Sequence, residues 1–212
     1  MDINSKIDEF IKHLQSVDDT DTIFNPYKQE LQRNNLKKYL SYFVKHPPEF
    51  MMVGEAPGHN GCAMTGVPYT DDFRIAMADK SSVPPLADFS INDIAIDKRE
   101  KITKENSSGA IWDVLIETQF FPLMWNVFPF HPHEVDKLST NRVPTGKELR
   151  WSREFVFELQ SIFSTIKHTY AIGKKALQYL DLPQDHYIRH PSYGGNIHCK
   201  NKILEIAKRC DL

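Results

Sequence analysis

Four short apolar runs, Phe50 to Val53, Leu123 to Val127, Thr169 to Ile172 and Tyr187 to Ile188, constrain this chain more than any other feature. Each is too short for a buried helix and each runs straight into loop-forming residues, so they read as buried strands. The segments between them carry helix-start signals. Asp71-Asp72 follow Thr70, a further start falls near Ser108, and Thr145 is followed three residues later by Glu148, the spacing of a capping box. Strands that alternate with helices specify parallel pairing, because a parallel neighbour is reached only through a crossover. The expected fold is therefore α/β, a three-layer αβα sandwich around a central, mostly parallel four-stranded sheet. Ligands in such sheets bind at the carboxyl ends of the strands.

Ahead of the first strand, Ile3, Ile7, Phe10, Ile11, Leu14 and Val17 keep helical spacing. Asn25-Pro26 reads as N-cap and first position of a second helix carrying Leu31, Leu36, Tyr39, Leu40 and Phe43, which ends before His46-Pro47-Pro48. The proline pair marks the approach to the sheet. The reading is one domain over 1–212, with N-terminal helices in 1–46 and an αβα core over 50–212. The polar segment from Lys80 to Ser108, with Pro84-Pro85 and the run Asp97-Lys98-Arg99-Glu100-Lys101, reads as a surface excursion, its alternative being a flap over a site. Trp112 and Trp151 fall in helical patterns and read as packing residues.

Composition narrows the functional classes. The 212 residues are 41% hydrophobic and 25% charged, with a mean hydropathy of −0.46, so the chain is expected to be soluble and to cross no membrane. The first residues lack a basic region followed by an apolar stretch, which predicts a cytoplasmic protein. Cys62, Cys199 and Cys210 are odd in number and widely spaced, which suits neither a disulfide framework nor a metal site. His131 and His133 form a His-x-His pair without a third ligand at suitable spacing, so they read as loop residues and no metal is expected. A net charge of −2 argues against strong sequence-independent binding to polyanions and leaves room for a local positive patch.

Three loops follow three of the strands and converge on one sheet edge. The first runs Gly54-Glu55-Ala56-Pro57-Gly58-His59-Asn60-Gly61 and continues through Thr65-Gly66-Val67-Pro68-Tyr69; its glycines allow close backbone approach, and its amides can hold an anion or a water. The second, Trp125-Asn126-Val127-Phe128-Pro129-Phe130-His131-Pro132, offers at Asn126 one donor group and one acceptor, which matches a base edge. The third, Arg189-His190-Pro191-Ser192-Tyr193-Gly194-Gly195, sets an imidazole where it can donate to developing negative charge.

In this order and at these separations, the loops resemble the uracil-DNA glycosylase superfamily: a first motif Gly-Glu-Ala-Pro-Gly, an aromatic soon after, an Asn on a central strand and a late His-Pro-Ser. The resemblance runs from Phe50 to Gly195 and includes Asn141-Arg142-Val143-Pro144-Thr145 before a Glu-containing helix. It implies a DNA repair enzyme that flips a deaminated base such as uracil out of the stack and hydrolyses its N-glycosidic bond, without cofactor or metal, as a monomer on DNA. Tyr69 would stack on the base, Asn126 bind its Watson–Crick edge, His190 stabilise charge on the departing base, and Gly54, Ala56, Pro57 and Gly58 line the site. Glu55 would activate water or stabilise a cationic sugar, and Ser192 and Tyr193 would meet the substrate, Tyr193 as a wedge.

The chain also departs from the family pattern. The strict uracil enzymes carry Gly-Gln-Asp-Pro-Tyr-His, so Ala56 replaces a water-activating Asp and Gly58 leaves space where a Tyr blocks the methyl group of thymine. Relatives with Gly-Glu-Ala-Pro-Gly hold an iron–sulfur cluster through four cysteines, which three scattered ones cannot reproduce. Several residues keep an ordinary reading: Glu55 as a loop cap, Asn126 as a loop tie and Tyr69 as a pocket wall, while Lys174-Lys175 read equally as phosphate contacts or as solvated residues. Two rival functions stand beside the glycosylase. One is a non-catalytic binder of uracil-containing or abasic nucleic acid. The other is a nucleoside or nucleotide hydrolase, though no P-loop or dinucleotide fingerprint follows any strand.

Overall fold

The computed structural model describes residues 2–78, 83–95 and 102–209; the charged run 97–101 and Cys210 lie outside them. In chain order the elements are α1 (Ile3–Ser16), β1 (Ile23–Phe24), α2 (Glu30–Lys45), β2 (Phe50–Gly54), α3 (Cys62–Thr65), α4 (Asp72–Ala76) and α5 (Asn106–Thr118). They continue with β3 (Leu123–Asn126), β4 (His131–Pro132), α6 (Gly146–Ser152), α7 (Glu154–Ile162), β5 (His168–Ile172), α8 (Lys174–Tyr179), β6 (Tyr187–Ile188) and α9 (Asn196–Lys208).

The central sheet has the order β3-β2-β5-β6, and every pairing is parallel. Helices flank it as the alternating pattern requires, α1 packing on α2 and α7, and α5 on α9. Register decides the location of the site. Gly54 pairs with Asn126 and Ile172 with Ile188, so these strands end at one level and release their loops along one edge. The strand interiors are apolar because both faces are covered: Met51, Met52, Val53, Met124, Ala171 and Ile172 are all buried.

Local signals explain most boundaries. Thr145 caps α6 through the expected reciprocal pair with Glu148, and Asp71 caps α4 by accepting from the Arg74 N–H at 2.9 Å. Asn25, expected to start α2, instead caps a single 3-10 turn at Pro26–Lys28, and α2 begins at Glu30. The Asn25 side-chain amide is spent on the carbonyls of Leu14 and Val17, both at 2.7 Å, so it ties α1 to α2. The antiparallel pair β1 and β4 has no counterpart in the sequence reading. Its two-residue strands are too short to carry a period and form only through a long-range pairing, Ile23 with Pro132 and Phe24 with His131.

The expectation that 80–108 is a surface excursion is corrected for the described part. Val83, Leu86 and Phe89 are buried, and Lys38 of α2 binds Asp93 at 2.5 Å. Further along, Thr103 straps the chain to α4 and the first loop, its hydroxyl donating to Asp72 at 2.7 Å, while Asp71 accepts the Glu105 N–H at 2.7 Å. The prolines and charges suggested solvent, but apolar residues at intervals of three anchor the segment to α2. Trp112 and Trp151 are packing residues as expected: the Trp112 indole donates to Thr70 at 3.2 Å, and Trp151 stacks on Phe130 at 5.7 Å between ring centroids.

Candidate active site

The three loops enclose a cleft of about 510 Å³ at the carboxyl edge of the sheet. Glu55, Ala56, Pro57, Gly58, Tyr69, Asn126, His190, Ser192 and Tyr193 all line it, so of the predicted site residues only Gly54 stands behind the wall. Gly54 matters through what it lacks: a Cβ there would strike the Tyr69 hydroxyl and come within 2.8 Å of the Asn126 carbonyl oxygen. The glycine lets the phenol and the amide meet at the strand ends.

The first loop is held from both sides. Its Gly54 and Glu55 carbonyls accept from Val127 and Phe128 at 2.9 and 3.0 Å, and the His59 N–H donates to Asn141 at 2.9 Å. His131 braces it too, its ring nitrogens facing the carbonyls of Pro57 and Leu138 at 3.0 Å each. The His-x-His pair therefore works as strut and loop tie: His133 reaches the Glu134 carbonyl at 2.9 Å, and burial holds the His131 pKa below its ordinary value.

Asn126 is buried at the end of β3, with no hydrogen bond to its side-chain amide among the described residues. Its amide atoms are not sealed in the core but open to the cleft, so a donor and an acceptor are offered to a ligand or water there. The alternative reading of Asn126 as a loop tie finds no partner to support it. His190 is better defined. The Ser192 N–H donates to its Nδ1 at 3.2 Å, and burial pushes the imidazole pKa down. A neutral ring whose Nδ1 accepts must carry its proton on Nε2, so the cleft is offered a hydrogen-bond donor.

Glu55 does not cap the loop. It sits 3.7 Å from Lys175 Nζ, an ion pair rather than a hydrogen bond, and burial raises its carboxyl pKa against the opposing pull of that lysine. Lys175 is thereby engaged by Glu55 rather than fully solvated, while Lys174 lines the cleft. Tyr69 is 7% exposed, with φ 54, and Tyr193 is fully exposed, with φ 51. Such left-handed backbone is strained for a bulky residue, and strain of this kind gathers at functional sites.

Sequence reasoning missed Glu105. It lines the cleft from the residue just before α5, and its carboxyl lies against Gly58 and Gly61, where a Cβ on either glycine would collide with it. Burial raises its pKa to about 6, Ser107 pulling it down and Asp71 up. The space that Gly58 leaves open is thus occupied from another element. The sequence pattern puts the start of this helix near Ser108 rather than at Asn106, and a pattern of periods cannot say that its N-terminal end faces the first loop.

The architecture, a four-stranded parallel sheet flanked by helices, is shared with a solved structure. The crystal structure of wild-type Pedobacter heparinus SMUG2 matches it with a TM-score of 0.66 over 97% of this chain and 98% of that chain, at 15% sequence identity. That coverage includes the two N-terminal helices, which the motif resemblance had left outside. No family model and no curated protein sequence matches the chain. Among the described residues, no group of three or more His, Cys, Asp or Glu is placed to hold a metal ion, and no helix is long and apolar enough to cross a membrane.

Proposed function

We propose that this protein is a DNA glycosylase that hydrolyses the N-glycosidic bond of uracil or a related deaminated base and leaves an abasic site. The observation that carries this reading is the pairing, in one cleft, of a neutral imidazole fixed as an Nε2 donor with a buried, unengaged Asn126 amide. A cleft of about 510 Å³ accommodates a nucleoside but not a duplex, so the nucleotide is extruded before reaction.

Asn126 takes the Watson–Crick edge and Tyr69 forms the pocket wall against the base. The bond between C1′ and the base nitrogen breaks, and its electron pair goes to the base, whose carbonyl oxygen accepts from His190 Nε2–H. A water held by the first loop bonds through its oxygen to C1′, and its proton passes to the Glu55 carboxylate. A neutral donor suits this step, because it stabilises the anion without having to give up a proton. Tyr193, exposed in the third loop, would fill the gap the base vacates.

Ala56 puts a methyl group, not a carboxylate, in the cleft, and Lys175 pairs with Glu55 and makes it a weaker base; both favour the second reading, a binder that does not cleave. The test is release of uracil or hypoxanthine, or of thymine from a mismatch, from end-labelled single- and double-stranded oligonucleotides, read as alkali-induced breaks. His190→Ala is expected to slow release by about 10²- to 10³-fold, the cost of one preorganised donor. Intact strands from folded wild-type protein, with binding that Asn126→Ala abolishes, would hand the site to the binder.

A further inference from the structure

Among the described residues, five large apolar side chains are more than half exposed: Val135, Leu138, Val143, Tyr193 and Ile197. All five fall in two segments that border the cleft. Tyr193 belongs to the third loop and Ile197 to the first turn of α9, while Val135, Leu138 and Val143 share the stretch that follows the second loop. Val143 and Tyr193 line the cleft itself. Apolar groups gathered on a surface forgo the stabilisation of burial and mark a place that another molecule covers.

The stretch from 134 to 143 is a rigid mount. The Lys137 N–H donates to the Glu134 carbonyl and the Glu134 N–H to the Thr140 hydroxyl, both at 3.0 Å. It is fastened to the first loop twice: through His131, whose ring spans the carbonyls of Leu138 and Pro57, and through Asn141, which accepts the His59 N–H. Its aliphatic side chains are thereby carried at fixed positions beside that loop. Its charges cancel, Glu134 and Asp136 against Lys137 and Arg142, and both cations are taken, Lys137 by Glu134 at 3.0 Å and Arg142 by Glu148 at 2.9 Å. What the stretch offers a nucleic-acid strand is apolar surface, not charge for a phosphate.

We propose that Val135, Leu138 and Val143 form a second apolar contact on the nucleic acid, packing on the bases that flank the extruded nucleotide. The proposal rests on the glycosylase reading above, in which one nucleotide leaves the stack and its former neighbours expose their faces. Apolar side chains set against an opened base step cover those faces and hold the step open. Tyr193 and Ile197 supply one such surface and the 135–143 stretch supplies the other, so the strand is gripped from two segments while the cleft holds the nucleotide.

Exposed positions tolerate substitution, so the double variant Val135→Ser, Leu138→Ser is expected to fold, and neither residue lines the cleft. Its binding to a duplex carrying one tetrahydrofuran abasic analogue, read by fluorescence anisotropy, is expected to weaken by tenfold or more. The slope of log K against log salt stays that of wild type, because no phosphate contact is lost. Phe157→Ser, which changes an exposed side chain on α7 outside the cleft lining, is expected to bind as wild type does. A smaller loss in the double variant overturns the proposal and leaves the patch to a protein partner. An equal loss in Phe157→Ser also overturns it, as does a slope shallower by about one, which would make the stretch a phosphate contact. Wild-type protein that binds this duplex but releases no uracil sinks the glycosylase reading alone, and the same binding ratio still judges the stretch; wild-type protein that binds neither uracil-containing nor abasic DNA sinks both.

Discussion

Two titratable groups in one cleft are pushed towards neutrality by the same cause. Burial lowers the imidazole of His190 and raises the carboxyl of Glu105 to about 6. The consequences for stability run in opposite directions. The folded protein keeps the Glu105 proton up to a pH of about 6, whereas a free carboxyl releases it near 4.5, so this contribution is fully present below 4.5 and lost as pH rises through 6. For His190, the folded state resists a proton that the unfolded chain binds near 6.5, so stability is lost as pH falls. Glu105→Gln removes the first penalty, and with the carboxyl raised from 4.5 to about 6 a gain of about 2 kcal/mol is expected at pH 8. The gain should vanish at pH 4, and urea denaturation of both proteins at the two pH values checks it. An equal gain at both would mean that the carboxyl costs nothing by being buried.

At the scale of elements, the sheet edge is held by a side chain from outside the sheet. β3 is terminal, and the Met124 N–H on its open side donates to the Tyr39 hydroxyl of α2 at 2.8 Å. Both residues are buried, so nothing else replaces that acceptor. Tyr39→Phe is expected to cost about 1–3 kcal/mol in chemical denaturation, the range for leaving a buried donor unsatisfied. A cost below the detection limit would show that water reaches the strand. The same helix clasps the turn before Tyr69: Gln32 and Asn35 donate to the carbonyls of Met64 and Thr65 at 2.7 and 2.8 Å, and Gly66, with φ 76, passes so close to Gln32 that a Cβ would meet its backbone. The N-terminal helices are therefore part of the apparatus that positions the pocket, which is consistent with their inclusion in the fold shared with the Pedobacter heparinus structure.

For the whole molecule, a net charge of −2 means that the DNA affinity required by the proposed function has to come from local geometry. Lys174 and Arg189 line the cleft and have no ion-pair partner among the described residues, while Lys175 is taken up by Glu55. Two free cations neutralise about two phosphates, so log K against log salt should fall with a slope of about −2 on duplex DNA, each phosphate contributing roughly −0.9. Fluorescence anisotropy over a salt series measures it. A slope steeper than −4 would mean that a broad basic surface, not the cleft rim, meets the backbone.

How much of this was legible in the amino-acid sequence depends on the range of the interaction concerned. The four strands, the capping box at Thr145 and the helical face of Ile7, Phe10, Ile11 and Leu14 are periodic or local, and each stands where the pattern put it. The convergence of Glu55, Asn126 and His190 followed from parallel order alone, because every strand of such a sheet ends at the same edge. What the tertiary structure decided was every contact between residues distant in sequence. The pairing of β1 with β4, the capture of Lys175 by Glu55 and the seat of Glu105 over Gly58 and Gly61 join segments from about 45 to more than 100 residues apart. Glycine at 58 and 61 announces that something must pass close, but a missing side chain does not name its visitor; only the packed chain, with Thr103 and Asp71 holding the approach to α5, brings the carboxyl there.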